Sequence, residues 1–157
     1  MGPEPQDFVK NAVIDSDPTE HNVEVVRSLI DAWNRRDAGI DAYHEDAEWD
    51  FTRSRFGEIR HSWKGVDGMR EVFTSVLAAW SELRVEADRI VASGDDVVVL
   101  ARHYGRRPSS GLEISDGGAY LITLRDGKVA RFVFYPEKDE ALEAVGLASD
   151  GEVLQPR

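Results

Sequence analysis

The chain has no cysteine, which excludes disulfides, thiolate metal sites and cysteine nucleophiles, and makes a reducing compartment the expectation. It also lacks a long apolar run: nothing approaches the about 20 consecutive apolar residues that span a bilayer. Residues 1–18 carry neither the basic stretch nor the continuous apolar segment of a secretory signal. A cytoplasmic location, with no membrane partner, is therefore expected. Basic residues are scarce, 19 Lys and Arg against 30 Asp and Glu in 157 residues, for a formal net charge of −11. With no basic run to offset it, this charge repels phosphate backbones, so no nucleic-acid partner is expected.

No repeat, low-complexity segment or Pro/Gly-rich linker divides residues 17–147, so one domain is expected there, with residues 1–16 and 148–157 as mobile tails. Asp17-Pro18-Thr19-Glu20 is a helix start, with a capping acid, a first-turn proline and an acid three positions on. Val26, Leu29, Ile30 and Trp33 then fall at helical spacing. A short second helix is predicted over Gly39 to His44, followed by a strand at Ala47-Glu48-Trp49-Asp50-Phe51, where polar and apolar residues alternate. Arg53 to Lys64 reads as a loop rich in rings (Phe56, His61, Trp63) that need cover. Met69, Val72, Phe73, Val76, Leu77 and Trp80 mark the clearest amphipathic helix.

After Trp80 the period changes. Strands are predicted over Leu83–Val91, Val97–Tyr104, Leu112–Leu124 and Val129–Tyr135, joined by turns at Ser93-Gly94-Asp95, Pro108 to Gly111 and Asp126-Gly127. A last helix over Glu137–Val145 is closed by Gly146, with Leu147 placed to pack back on it. Helices first and hairpin-linked strands later describe an α+β domain in which a curved antiparallel sheet wraps around N-terminal helices.

Several of these segments together resemble a known family. They are Glu45-Asp46-Ala47-Glu48-Trp49, Trp63-Lys64-Gly65-Val66-Asp67-Gly68, the Gly94-Asp95 turn, Arg125-Asp126-Gly127-Lys128-Val129 and the closing Asp139 to Leu147. Their order and spacing over residues 20 to 147 resemble the SnoaL-like branch of the nuclear transport factor 2-like superfamily. The resemblance implies a cone-shaped α+β fold with a deep apolar cavity between sheet and helices, and a homodimer through the outer sheet face. It does not choose a reaction, because isomerases, cyclases, dehydratases, epoxide hydrolases and plain binders share this scaffold.

Against ketosteroid isomerase, a resembling member, the carboxylate base falls on Phe51, the acid donor on Tyr120 and the catalytic tyrosine on Leu29. A phenyl ring accepts no proton, so carboxylate-driven proton abstraction is not expected. Asp50 has the opposite strand parity to Trp49 and Phe51 and is expected to face away from the cavity. The carboxylate that a resembling epoxide hydrolase would need in the last strand falls near Phe134, which rejects that chemistry too.

The polar candidates that remain are His103, His61 and Tyr120. A neutral imidazole is the natural general base where carboxylates are missing, although a histidine hydrogen-bonded within the sheet or at a dimer face is the plainer reading of either one. His21 and His44 read as surface groups. None of the four histidines shows ligand spacing, so no metal is expected, and no cofactor is implied. Gly117, Gly118 and Ala119 leave room beside Tyr120, for a ligand or for close packing. Trp33, Trp49, Phe51, Trp63, Phe73, Tyr120, Phe132 and Phe134 are the expected lining, though helical core packing alone also explains Phe73 and Trp80. Such a lining suits a small hydrophobic or aromatic molecule as the partner, with isomerase- or cyclase-type acid–base chemistry as one reading and a non-catalytic ligand carrier, or a dimeric structural module with a filled cavity and no chemistry, as the other. Arg102, Arg106 and Arg107 offer either an anion contact at the rim or ordinary surface ion pairs.

Overall fold

The computed structural model of the chain describes residues 18–55, 59–108 and 110–147. Helix α1 (Pro18–Asn34) and a 3₁₀ turn (Ile40–Ala42) lead into β1 (Tyr43–Asp50) and β2 (Ser62–Lys64). Helix α2 (Gly65–Ala79), the long strands β3 (Ser81–Ser93), β4 (Asp96–Arg106) and β5 (Glu113–Arg125), strand β6 (Lys128–Tyr135) and helix α3 (Lys138–Ala144) follow. The expected tails, Asp17 and Phe56 lie outside the described residues.

The six strands form one open, curved sheet in the order β2-β1-β6-β5-β4-β3. All neighbouring pairs are antiparallel except β1–β6, which is parallel, so the sheet is mixed rather than purely antiparallel. β1 and β6 are distant in the chain and no local turn dictates their direction; both bury one face on α1 and α2, and the side-by-side pairing of Trp49 with Phe132 aligns those faces. β1 also starts earlier than its alternation suggests. Tyr43 and His44 belong to the strand, and an irregularity between Tyr43 and Glu48 breaks the two-residue period there. His61 and Trp63, expected in a loop, border or occupy β2, which pairs with β1 through Trp49 and Trp63.

The turns follow the residue chemistry. Asp126 and Gly127 both have positive φ (55° and 78°), as the tight β5–β6 hairpin requires. α3 ends with Gly146 at φ 80°, the Leu147 amide donating to the Leu142 carbonyl and the Gly146 amide to that of Glu143. This is a Schellman cap, and it seats Leu147 in a buried position.

Two apolar layers result. Inside the curve, Val26, Leu29 and Ile30 of α1 and Met69 and Val72 of α2 pack on Val97, Val99 and Ala101 of β4, Tyr120 and Ile122 of β5, and Phe132 of β6. On the outer face, α3 lays Ala141 and Leu142 over Val98, Ala119, Leu121 and Val133. Among the described residues no helix is long and apolar enough to cross a membrane.

Candidate functional site

Sheet parity decides what enters the concave face. β4 and β5 pair Val99 with Tyr120 and His103 with Asp116, so His103 and Tyr120, each on the inward parity of its strand, converge. Tyr120 in turn pairs with Phe134, and Ile122 with Phe132. Gly118 is needed at this place: a Cβ there would stand 3.0 Å from Phe134 Cε1 and 3.2 Å from the Tyr135 carbonyl oxygen. The space beside Tyr120 is thus taken by Phe134, and the space at Gly117 by the Lys138 stem on the other face. Close packing, not ligand access, accounts for these small residues.

The convergence lines a cavity of about 150 Å³, open to one side, between α1, α2 and the sheet. Its walls include Trp33, Trp49, Phe51, Phe73, Tyr120, Phe132 and Phe134, seven of the expected lining residues, together with Tyr43, Met69, Val72 and Trp80. Phe51 stacks on Phe132 and Phe134 with centroids 5.7 and 5.9 Å away and planes within 17° and 14°. Trp33 meets Tyr120 and Phe132 edge-on, at 5.7 Å in both cases. Trp63 does not reach the cavity; it backs the wall from behind, edge-on to Phe51 at 5.9 Å.

Of the polar candidates, the structure brings two together. His103 Nε2 lies 2.5 Å from the Tyr120 hydroxyl oxygen, and both residues face the cavity. His61 is not with them. It is exposed, outside the lining, its ring edge-on to Trp63 at 5.5 Å. His44 holds the Arg125 carbonyl across 2.5 Å, and His21 is exposed at the start of α1.

Burial pushes the His103 imidazole below its ordinary value; the Asp116 carboxylate and backbone pull it back up, and the Lys138 ammonium adds to the depression. His103 is therefore a neutral imidazole at pH 7. Burial also lifts the Tyr120 hydroxyl far above the ordinary tyrosine range, with a smaller push from Tyr43, so it keeps its proton. The pair can share one hydrogen bond and relay a proton between neutral partners, and it holds no resident charge.

Three residues of the site went unremarked in the sequence. Asp116 lines the cavity mouth; it lies four positions before Tyr120 on the same strand parity, and that parity was the available signal. Its carboxylate accepts the Gly117 amide at 2.9 Å and pairs with Arg55 at 3.4 Å. Tyr43, hidden in a stretch that looks like a helix end, buries its hydroxyl among the described residues without a hydrogen-bond partner. Burial raises it strongly; the Trp49 and Trp33 indoles work the other way, yet neither reaches the oxygen in hydrogen-bond geometry. Asn34 seals the α1 end by donating to the Val85 carbonyl and accepting the Val85 amide, both at 2.9 Å.

The outward groups behave as surface groups. Asp50 points away from the cavity, as its parity requires: burial raises its carboxyl, but the Thr52 hydroxyl and amide, with Arg53 and Arg131, hold it below the usual range. Arg102 pairs with Asp88 at 3.0 Å, Arg106 with Glu113, and Arg107 lies 4.6 Å over the Trp80 ring. None of these three arginines lines the cavity, so the rim anion contact is not formed by them.

Residues 26–132 match the SnoaL-like domain family. The chain belongs to that family. Solved structures of the same fold include TerC, co-crystallized with polyporic acid (22% identity, 80% of this chain and 97% of that one, TM-score 0.66). A protein with a ketosteroid isomerase-like fold from Catenulispora acidiphila, in complex with trimethylamine, is 18% identical over 85% of this chain and 98% of that one, with a TM-score of 0.63. The epoxide hydrolase/cyclase-like enzyme SalBIII, of pyran ring formation in salinomycin, is 18% identical over 74% and 90%, also with a TM-score of 0.63. At these identities the likeness concerns the fold. No curated protein matches the chain.

Proposed function

We propose that this SnoaL-like protein binds a small, uncharged hydrophobic or aromatic molecule in the cavity, with His103 and Tyr120 as its acid–base pair. The observation that carries the reading is the His103–Tyr120 hydrogen bond placed inside a wall that is mainly aromatic and aliphatic. Stacked rings offer flat apolar surface, and a few convergent polar groups orient what lies on it. In catalysis the pair would act as a relay, the Tyr120 oxygen taking a proton from the ligand as it passes its own hydrogen to His103. Trp33, Trp49, Phe51, Phe73, Phe132 and Phe134 would hold the ligand by burial and ring contact.

The specific observation favouring a carrier without chemistry is Phe51, which stacks on two rings in the middle of the wall where an isomerase of this fold would need a carboxylate. A thermal-shift screen with single-ring and fused-ring aromatics tests the shared claim of binding. Ligands that occupy the cavity raise Tm in proportion to saturation, whereas a panel that leaves Tm unchanged contradicts it. A homodimer through the outer sheet face is the companion proposal, supported by Val91, Leu100 and Tyr135, which are only half-buried at the margin of the α3 cluster. Sedimentation at micromolar concentration showing only monomer would remove it.

A further inference from the structure

The two ends of the cavity differ. Asn34 and Arg36, the exposed residues of its lining, stand where α1 meets the edge strand β3: Asn34 bonds the Val85 backbone, and Arg36 donates to the Leu83 carbonyl at 2.6 Å. On the opposite side of the sheet, Phe51 follows the end of β1. Its amide donates to the His61 carbonyl at 2.9 Å, which ties the backbone here to the start of β2. Its ring lies within 17° and 14° of the Phe132 and Phe134 planes and extends the flat wall that they form. Beyond it, edge-on at 5.9 Å, is Trp63, which does not line the cavity. The Phe51 ring fills the space between the cavity and that indole.

A cavity of about 150 Å³ is the size that holds one benzene ring in an apolar protein interior. A second, fused ring needs more length along the wall, and the wall ends at Phe51. Toward the open end the same ring would leave the aromatic surface for Asn34, Arg36 and Asp116, polar groups to which it offers no hydrogen bond in place of water. Resting on the small-molecule reading above, we propose that Phe51 sets the size of the ligand: it limits the cavity to molecules with a single aromatic ring, and its removal extends the wall to Trp63 and admits a fused pair.

NMR titration of the full chain at pH 7 with phenol and 2-naphthol, following the methyl groups of Met69 and Val72 in the cavity wall, tests this. Both ligands are neutral, carry the same hydroxyl and differ by one fused ring. A site with room for both binds the naphthol more tightly, through its larger apolar area. The wild-type protein is expected to show the reverse order, phenol about tenfold tighter. In Phe51→Ala phenol still binds, 2-naphthol becomes the tighter ligand by about tenfold, and the Trp63 indole resonance shifts on its addition. Wild-type binding of 2-naphthol as tight as that of phenol overturns the inference while leaving small-molecule binding intact. So does a Phe51→Ala protein that keeps the wild-type order and weakens both ligands together, as a merely structural role for the ring would. Failure of both ligands to bind the wild-type protein overturns the inference and the underlying reading together. Phe51→Leu, which keeps an apolar side chain in the wall, shifts the preference the same way in smaller measure and serves if the alanine variant does not fold.

Discussion

His103 and Tyr120 meet at 2.5 Å across neighbouring strands because His103 pairs with Asp116 and Tyr120 with Val99, placing both side chains on the inner side of the curved sheet. The burial that this contact entails holds the imidazole below its ordinary value, and that depression has a sign. Between the ordinary value near 6.5 and the lower folded one, the unfolded chain binds a proton that the folded chain does not, so stability increases with pH across that window. Acidification from pH 7 to 5 is expected to destabilise the wild-type protein relative to His103→Gln. An NMR titration of the His103 ring checks the cause: its midpoint falls below 6.5, and a midpoint at or above that value contradicts the buried placement.

Gly118 is required by packing rather than by turn geometry. In Gly118→Ala the new methyl meets Phe134 Cε1 at 3.0 Å, and the Tyr135 carbonyl, which is backbone, at 3.2 Å. A loss of about 1–3 kcal/mol is expected, measured by urea unfolding. An unchanged midpoint would show that β5 and β6 are less tightly apposed than described.

Asn34 joins the end of α1 to β3 by two hydrogen bonds to the Val85 backbone. Asn34→Ala leaves that amide and carbonyl without their partner, and a destabilisation of about 1–3 kcal/mol is expected. Because Trp33 is the adjacent residue and lines the cavity, ligand binding should weaken with it. Full stability in the variant would show the bonds to be dispensable.

How much of this was legible in the sequence varies by strand. The helices, the Asp126-Gly127 hairpin and the Gly146 cap follow local rules, and they stand where the spacing of Val26, Leu29 and Ile30 or of Met69 and Val72 places them. The parity of His103 was not legible. Val97, Val98 and Val99 are all fully buried, since α3 covers the outer face just as α1 covers the inner, and the alternation that would orient β4 is erased. Tyr43 was obscured by the irregularity in β1, and the parallel β1–β6 pairing by the absence of any connecting turn. Asp116 was legible through Tyr120's parity within the predicted Leu112–Leu124 strand, but nothing local marks an acid there as facing inward.

Tyr43 offers a test of the aromatic wall itself. Its buried hydroxyl has no partner among the described residues, and an unpaired buried hydroxyl is unfavourable. Tyr43→Phe is therefore expected to leave Tm unchanged or raise it, by up to about 1 kcal/mol of added stability. A clear loss of stability would reveal a partner for that oxygen.

The central claim is that the aromatic cavity receives a small apolar molecule. The most direct measurement is a methyl NMR titration with toluene, following Met69 and Val72, which line the cavity, and Leu112, which is 61% exposed and away from it. The account predicts saturable shifts at Met69 and Val72 with Leu112 unmoved. Shifts absent from Met69 and Val72 up to the solubility of toluene would contradict it.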